Sequence, residues 1–234
     1  MPYYYWDPTY ILVLIGALLS VGASALVNRT FNRYSSVYAR SGLTGAQAAQ
    51  KLLHSQGIYD VQIQHISGSL TDHYDPRNKT LSLSDAVYNA TTVAAIGVAA
   101  HECGHAMQHA KGYVPLSIRS ALVPVVNFGS YLSGPLIVIG LFINSSTGSL
   151  FLNAGLLLFS LVVLFQLITL PVEINASRRA VRLLDQEHIL IGDEVGQTAR
   201  VLKAAALTYV ASAAASILQL LRLLILTGGR RRDD

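Results

Sequence analysis

Two histidines and a glutamate, His101-Glu102-Cys103-Gly104-His105, carry the most chemical information in this chain of 234 residues. Residues four apart lie one above the other on a helix face, so both imidazoles could meet one divalent cation. Glu102 would project beside that cation, placed to take a proton from water. The residue types suit Zn²⁺: neutral imidazoles hold a borderline-soft ion, and a carboxylate outside the ligand set acts as the base. Hydrolysis is the chemistry that this spacing supports.

The plainer alternative is a chance pattern on a surface helix. Against it, the flanks Val93–Ala100 and Ala106-Met107 are small and apolar, which predicts a buried helix. Ionisable groups in such a helix need a partner, and a metal is the natural one. Gly104 weakens a helix by roughly 1 kcal/mol relative to alanine, which points to a close approach by another backbone or a ligand. Cys103 reads as small helix packing. A catalytic zinc site takes three protein ligands and keeps one position open, so a third donor must come from elsewhere. The candidates are Asp72, His73, Asp75, His109, Glu173, Asp185, Glu187 and His188. His109 lies two turns beyond His101, too far along the axis to share an ion with both histidines. Glu173 stands out, following Pro171 at the end of an apolar stretch, where an unpaired charge is costly.

The surrounding composition is that of a membrane protein, with 52% hydrophobic and 13% charged residues against about 25% charged in soluble domains. Tyr10–Val27, Ala121–Ile143 and Leu150–Leu170 are uncharged and long enough to span a bilayer. The leader Met1–Asp7 lacks basic residues and is aromatic, so it reads as an interfacial anchor rather than a cleaved signal. Ala204–Leu226 is ambiguous: it is apolar, yet it contains Gln219 and Arg222 and precedes Arg230-Arg231-Arg232. Three spans are expected, four if this segment crosses rather than lying interfacial or re-entrant.

Basic residues orient the chain. Arg29, Arg33 and Arg40 follow the first span, Lys111 and Arg119 precede the second, and Arg178, Arg179 and Arg182 follow the third, while the Asn144–Ser149 turn is uncharged. By the positive-inside rule the N-terminus and that turn lie outside, and residues 28–120 and those after 170 face the cytoplasm. Topology thus accounts for the net charge of +4 without nucleic acid. The single cysteine excludes an internal disulfide and suits a reducing side.

Thr44-Gly45-Ala46-Gln47 reads as a capping box opening a helix to about Gln56, closed by Gly57. Val61–Gln64 and Leu81–Leu83 alternate in polarity across the turn-rich Asp75–Lys79, which predicts a strand pair. A further helix is expected after Ser84 or Asp85, then a longer one from about Thr91 to His109, capped by Gly112. A strand pair before the metal helix suits an edge strand holding an extended substrate beside the ion.

Three segments, Leu70–Pro76, Ala99–Gln108 and Pro171–Ser177, carry a resemblance to the YugP-type neutral membrane zinc metallopeptidases that covers most of the chain. More distantly the chain resembles the HtpX-type membrane proteases, whose transmembrane hairpin separates a two-histidine helix from a glutamate ligand. The resemblance implies His101, His105 and Glu173 as ligands of one Zn²⁺ per chain and Glu102 as general base. HtpX-type sequences place an aspartate soon after that glutamate; here stand Asn175, Ala176 and Ser177, with Asn175 the candidate for supporting a ligand histidine. His73, Tyr74, His188 and Tyr209 have the chemistry to stabilise an oxyanion.

The expected fold is a predominantly α membrane protein with a zincin-like helix, a small β-hairpin and three or four membrane-embedded helices. The expected domains are an N-terminal membrane anchor (1–27), a cytoplasmic metalloprotease segment (28–120), a transmembrane hairpin (121–170), and a cytoplasmic helix with the third ligand plus a C-terminal apolar helix (171–234). The expected activity is zinc-dependent endopeptidase cleavage of membrane-associated or misfolded proteins at the cytoplasmic face of the bacterial cell membrane. The bilayer is a partner, and small residues in Gly129–Gly134 and Ala211–Ala215 allow helix packing within the chain, in a homo-oligomer or with a membrane partner. A hydrolase of lipids or other amides would use the same ligands. A scaffold or assembly partner with a structural or vestigial zinc site is the alternative, but it would have no need of Glu102. A transporter is disfavoured because the spans hold no acidic residue for an ion relay.

Overall fold

A computed structural model describes the backbone of residues 7–143 and 145–230, without the side chains of 229 and 230. The aromatic leader before Asp7, the Asn144 end of the uncharged turn, and Arg231 and Arg232 lie outside these residues. Four long helices dominate: α1 (Tyr10–Tyr34), α4 (Val114–Phe142), α5 (Ser146–Gln186) and α6 (Asp193–Arg230). Between α1 and α4 come α2 (Gly45–Ser55), β1 (Gln62–Ile66), β2 (His73–Asp75), β3 (Thr80–Ser84) and α3 (Val93–Ala110).

All four long helices are long and apolar enough to cross a membrane, and little of each apolar window is buried inside the protein. Leu18, Val21, Phe128, Leu157 and Leu164 are among the large side chains left exposed. Apolar surface on this scale marks contact with lipid. The number of helices fit to cross thus matches the higher of the two expected span counts. The ambiguous Ala204–Leu226 segment is part of the continuous α6. Arg222 is accommodated there because an Nη atom lies 3.3 Å from an Asp7 carboxylate oxygen and the guanidinium carbon 4.2 Å from the Tyr10 ring centroid. Pairing and a cation–π contact offset the cost of a charge among apolar helices.

The chain forms two compact units. One gathers Met1–Gly22, Ile118–Thr169 and Tyr209–Asp234; the other gathers Ala23–Ser117 and Leu170–Thr208. In the first, small residues let helices touch. A Cβ on Gly16 would lie 3.1 Å from Ala215, and one on Gly155 would lie 2.7 Å from Ile137. Ala215, in the alanine-rich stripe, thus packs against the chain's own α1.

The second unit is built around α3, which is buried over most of its circumference, from Val93 to Gln108. Thr92 caps its N-terminus by accepting the Ala95 N–H, and Gly112, with φ of 61°, follows the Lys111 C-cap. Around α3 stand α2, through buried Leu52 and Leu53; the sheet, through Leu81 and Leu83; and α5, through Ala180 and Leu184. The predicted capping box is formed, Thr44 Oγ1 accepting from Gln47 N at 3.2 Å while the Gln47 side chain accepts from Thr44 N at 3.0 Å.

Two local expectations need correction. The strands at 61–64 and 81–83 do pair, but as the parallel β1 and β3; the hairpin partner across the Asp75–Lys79 turn is β2, in a sheet of order β1-β3-β2. Three residues are too few for β2 to display an alternation. The helix expected after Ser84 is a series of turns. The Tyr88 and Ala90 carbonyls instead accept from Ala46 N and Gly45 N, the first N–H groups of α2, so they are not committed to a helix of their own.

Thr44→Ala removes one acceptor of the capping box and is expected to lower stability by about 1 kcal/mol. Denaturant unfolding of the detergent-solubilised chain measures this, and metal content should stay unchanged.

Candidate metal centre

The near-complete burial of α3 explains its Ala- and Gly-rich sequence, because neighbouring helices press against its backbone. An added Cβ on Gly97 would lie 2.8 Å from Thr198 Cγ2, and one on Gly104 only 2.6 Å from the Ala176 carbonyl oxygen of α5. The predicted close approach at Gly104 is therefore backbone against backbone. It brings the face of α3 carrying His101 and His105 against the stretch of α5 carrying Glu173.

The three donors converge. His101 Nε2 lies 3.2 Å and His105 Nε2 3.4 Å from the same Glu173 oxygen, Oε2, and ligand atoms of all three residues fall within 4.8 Å of one another. Glu173 is 2% exposed. The donor set fits a zinc-type ion: with Zn–N and Zn–O bonds of roughly 2.0–2.1 Å, the edge of a ligand tetrahedron is about 3.3 Å. The charges favour a cation as well. Burial alone would lower the His105 pKa, but its hydrogen bond to Glu173 and the carboxylates of Glu102 and Glu173 outweigh burial and raise it. Glu102, 8% exposed, is the next residue after His101 on this buried helix.

Each imidazole is also held from behind. His101 Nδ1 lies 3.1 Å from Ser177 Oγ, and His105 Nδ1 lies 3.1 Å from Gln108 Oε1. Asn175, the residue expected to support a ligand histidine, instead accepts from Gln108 Nε2 at 3.0 Å and so stands one step further out. Sequence reasoning missed Ser177 and Gln108, although helical spacing could have found them. Ser177 lies four residues after Glu173 and Gln108 three after His105, so each shares a face with one of the three donors.

The other candidates are engaged elsewhere. Asp72 accepts from Ser84 N and Ser84 Oγ, Asp75 accepts from Arg77 N and Asn78 Nδ2, and the exposed His73 places Nδ1 2.9 Å from the Thr71 carbonyl. His109 Nδ1 lies 2.9 Å from Tyr74 Oη. Burial, with Asp60 and Asp75 nearby, pushes the Tyr74 phenol up to about 12, so it stays a neutral hydroxyl near pH 7. Asp185, Glu187 and His188 close the C-terminal end of α5, His188 with φ of 50°. None of these eight groups except Glu173 joins the cluster among the described residues. Cys103 is fully buried with its thiol facing the Ala49 carbonyl, and burial and then Glu102 hold the thiol protonated, consistent with packing.

Residues 9–228 match the family described as "Putative neutral zinc metallopeptidase". The chain belongs to this family. A curated member of similar sequence, "Putative membrane protease YugP" of Bacillus subtilis (strain 168), is 44% identical over 223 residues, which cover 94% of this chain and 98% of the relative. No solved structure matches. The metallopeptidase resemblance carried by the three sequence segments is thus a family relationship, in a membrane protein with four helices fit to span.

Gly104→Ala would raise helix propensity in an isolated peptide by about 1 kcal/mol. In this chain it should act in the opposite sense, separating α3 from α5, lowering the melting temperature and weakening metal uptake. A thermal melt with and without added zinc reads both effects.

Proposed function

We propose that this chain is a zinc-dependent membrane endopeptidase in which His101, His105 and Glu173 hold one Zn²⁺ and Glu102 is the general base. The observation that carries this reading is the convergence of three donors on one buried point, on the helix that also bears Glu102. Zinc, when bound, supplies a Lewis acid that polarises the scissile carbonyl and brings the pKa of water toward about 7. Glu102 accepts the proton of the attacking water and passes it to the leaving amine, so one carboxylate serves as base and then as acid. Burial of the donors keeps bulk water from competing for their lone pairs.

Substrate positioning falls to the sheet. Among the described residues β2 pairs on one side only, with β3, and its Tyr74 side chain reaches α3 at His109. An extended peptide could add to its open edge through backbone hydrogen bonds, with little demand on side-chain sequence. That selectivity suits membrane-associated or misfolded proteins. The basic residues Arg29, Arg33, Arg40, Lys111, Arg119, Arg178, Arg179 and Arg182 favour a cytoplasmic site in a bacterial cell membrane by the positive-inside rule. A scaffold with a vestigial metal site gives no account of a buried Glu102 beside the histidines.

Zinc per chain in detergent-purified protein, together with cleavage of an unfolded reporter protein, tests the proposal. The unaltered chain should hold about one zinc, and His105→Ala and Glu173→Ala should lose it. Glu102→Gln should keep the metal and lose cleavage by several orders of magnitude. Undiminished turnover in Glu102→Gln would remove that residue from its assigned role, and zinc retained by Glu173→Ala would move the third ligand elsewhere.

A further inference from the structure

Behind His105 a chain of hydrogen bonds runs well beyond the ligand itself. Gln108 Oε1 lies 3.1 Å from His105 Nδ1; Gln108 Nε2 donates to the Val172 carbonyl at 2.8 Å and to Asn175 Oδ1 at 3.0 Å; and Arg179 Nε donates to that same Oδ1 at 2.7 Å. The guanidinium carbon of Arg179 sits 6.0 Å from the Tyr113 ring centroid, and Tyr113 N donates to the Gln108 carbonyl at 2.9 Å. Val172, Asn175 and Arg179 follow one another at spacings of three and four, which places them on one stripe of α5.

We propose that Arg179 is a positioning residue that sets the tautomer of the metal ligand His105, acting through Asn175 and Gln108. The inference rests on the zinc-site reading above. Its logic is donor against acceptor. Side-chain amides can ordinarily flip, exchanging oxygen for nitrogen, and a neutral imidazole can carry its proton on either ring atom. A guanidinium only donates, at any physiological pH. The Asn175 atom facing Arg179 must therefore be the oxygen. That oxygen, already an acceptor, requires a donor from Gln108, so the Gln108 nitrogen faces Asn175 and the Gln108 oxygen faces His105. An oxygen facing Nδ1 requires Nδ1 to carry the proton, which leaves the Nε2 lone pair directed toward Glu173 Oε2, where the cation would bind.

Each step transmits an orientation without moving a charge, and the fixed charge at the start is Arg179. The relay gives an uncharged amide the role that a carboxylate commonly fills behind a ligand histidine. It also explains why Asn175 supports a ligand without touching one. Only the oxygen of Asn175 takes part, so the scheme distinguishes substitutions that packing alone would treat alike. Asn175→Asp keeps an acceptor for both donors, whereas Asn175→Leu, of similar size, keeps none.

The test is zinc affinity of the full-length chain in detergent, by competition with a chelator, alongside the melting temperature of the metal-free protein. Asn175→Leu and Arg179→Met should weaken zinc binding by about 10- to 100-fold, with metal-free melting little changed. Asn175→Asp should bind like the unaltered chain, and Arg179→Lys, which keeps a donor, should bind better than Arg179→Met. If Asn175→Leu melts early, the Arg179 pair decides the question. Equal zinc affinity across the series would overturn the relay and leave the metal centre standing, with the Val172 carbonyl alone orienting Gln108. An unaltered chain that takes up no zinc would overturn the metal centre and the relay with it.

Discussion

Two imidazole nitrogens lie 3.2 and 3.4 Å from one carboxylate oxygen in a buried setting. Acceptors so placed repel unless a proton or a metal ion lies among them, and the rest of the second unit can be understood as what holds them there. The alternative of isolated buried charges would be costly. A cation shared by all three turns the same arrangement into a binding site.

Holding the donors at that spacing requires two helix backbones to approach far more closely than side chains normally allow. Gly104 meets the Ala176 carbonyl directly, and the Ala-rich remainder of α3 lets α2, the sheet and α5 close in around it. The helix is therefore poor in large residues where it is most buried. Its stability comes from being enclosed rather than from the size of its side chains.

The carboxylate of the three-donor cluster sits on a helix of 41 residues. Pro171 lies inside α5, which continues from the apolar Leu150–Leu170 stretch through Glu173 to Gln186. Proline removes one backbone N–H, leaving the Leu167 carbonyl without its usual intrahelical donor, but the helix does not end there. Past this point α5 presents two stripes to α3. Glu173 and Ser177 serve His101, while Val172, Asn175 and Arg179 serve His105 by way of Gln108. One rod thus supplies one donor of the cluster and hydrogen-bond partners that lead to both of the others.

Sequence alone determined the parts whose signal is local or compositional. His101 and His105 share a helix face because of their spacing, the capping box at Thr44 is a short-range hydrogen-bond pattern, and apolar runs of bilayer length announce membrane helices whatever surrounds them. It also pointed to Glu173, because a carboxylate beside an apolar run needs a partner. What it left open depends on contacts between distant residues. β2 is too short to show a period, the direction of β1 relative to β3 is set by how the chain turns between them, and Arg222 is accommodated in an apolar helix because Asp7 and Tyr10 lie beside it. Ser177, Gln108 and Arg179 are ordinary polar residues in the sequence. They join the candidate site only when the absent side chain of Gly104 lets α3 and α5 meet, because hydrogen bonding acts over about 3 Å in space and ignores the 67 to 76 positions that separate the bonded residues in the chain.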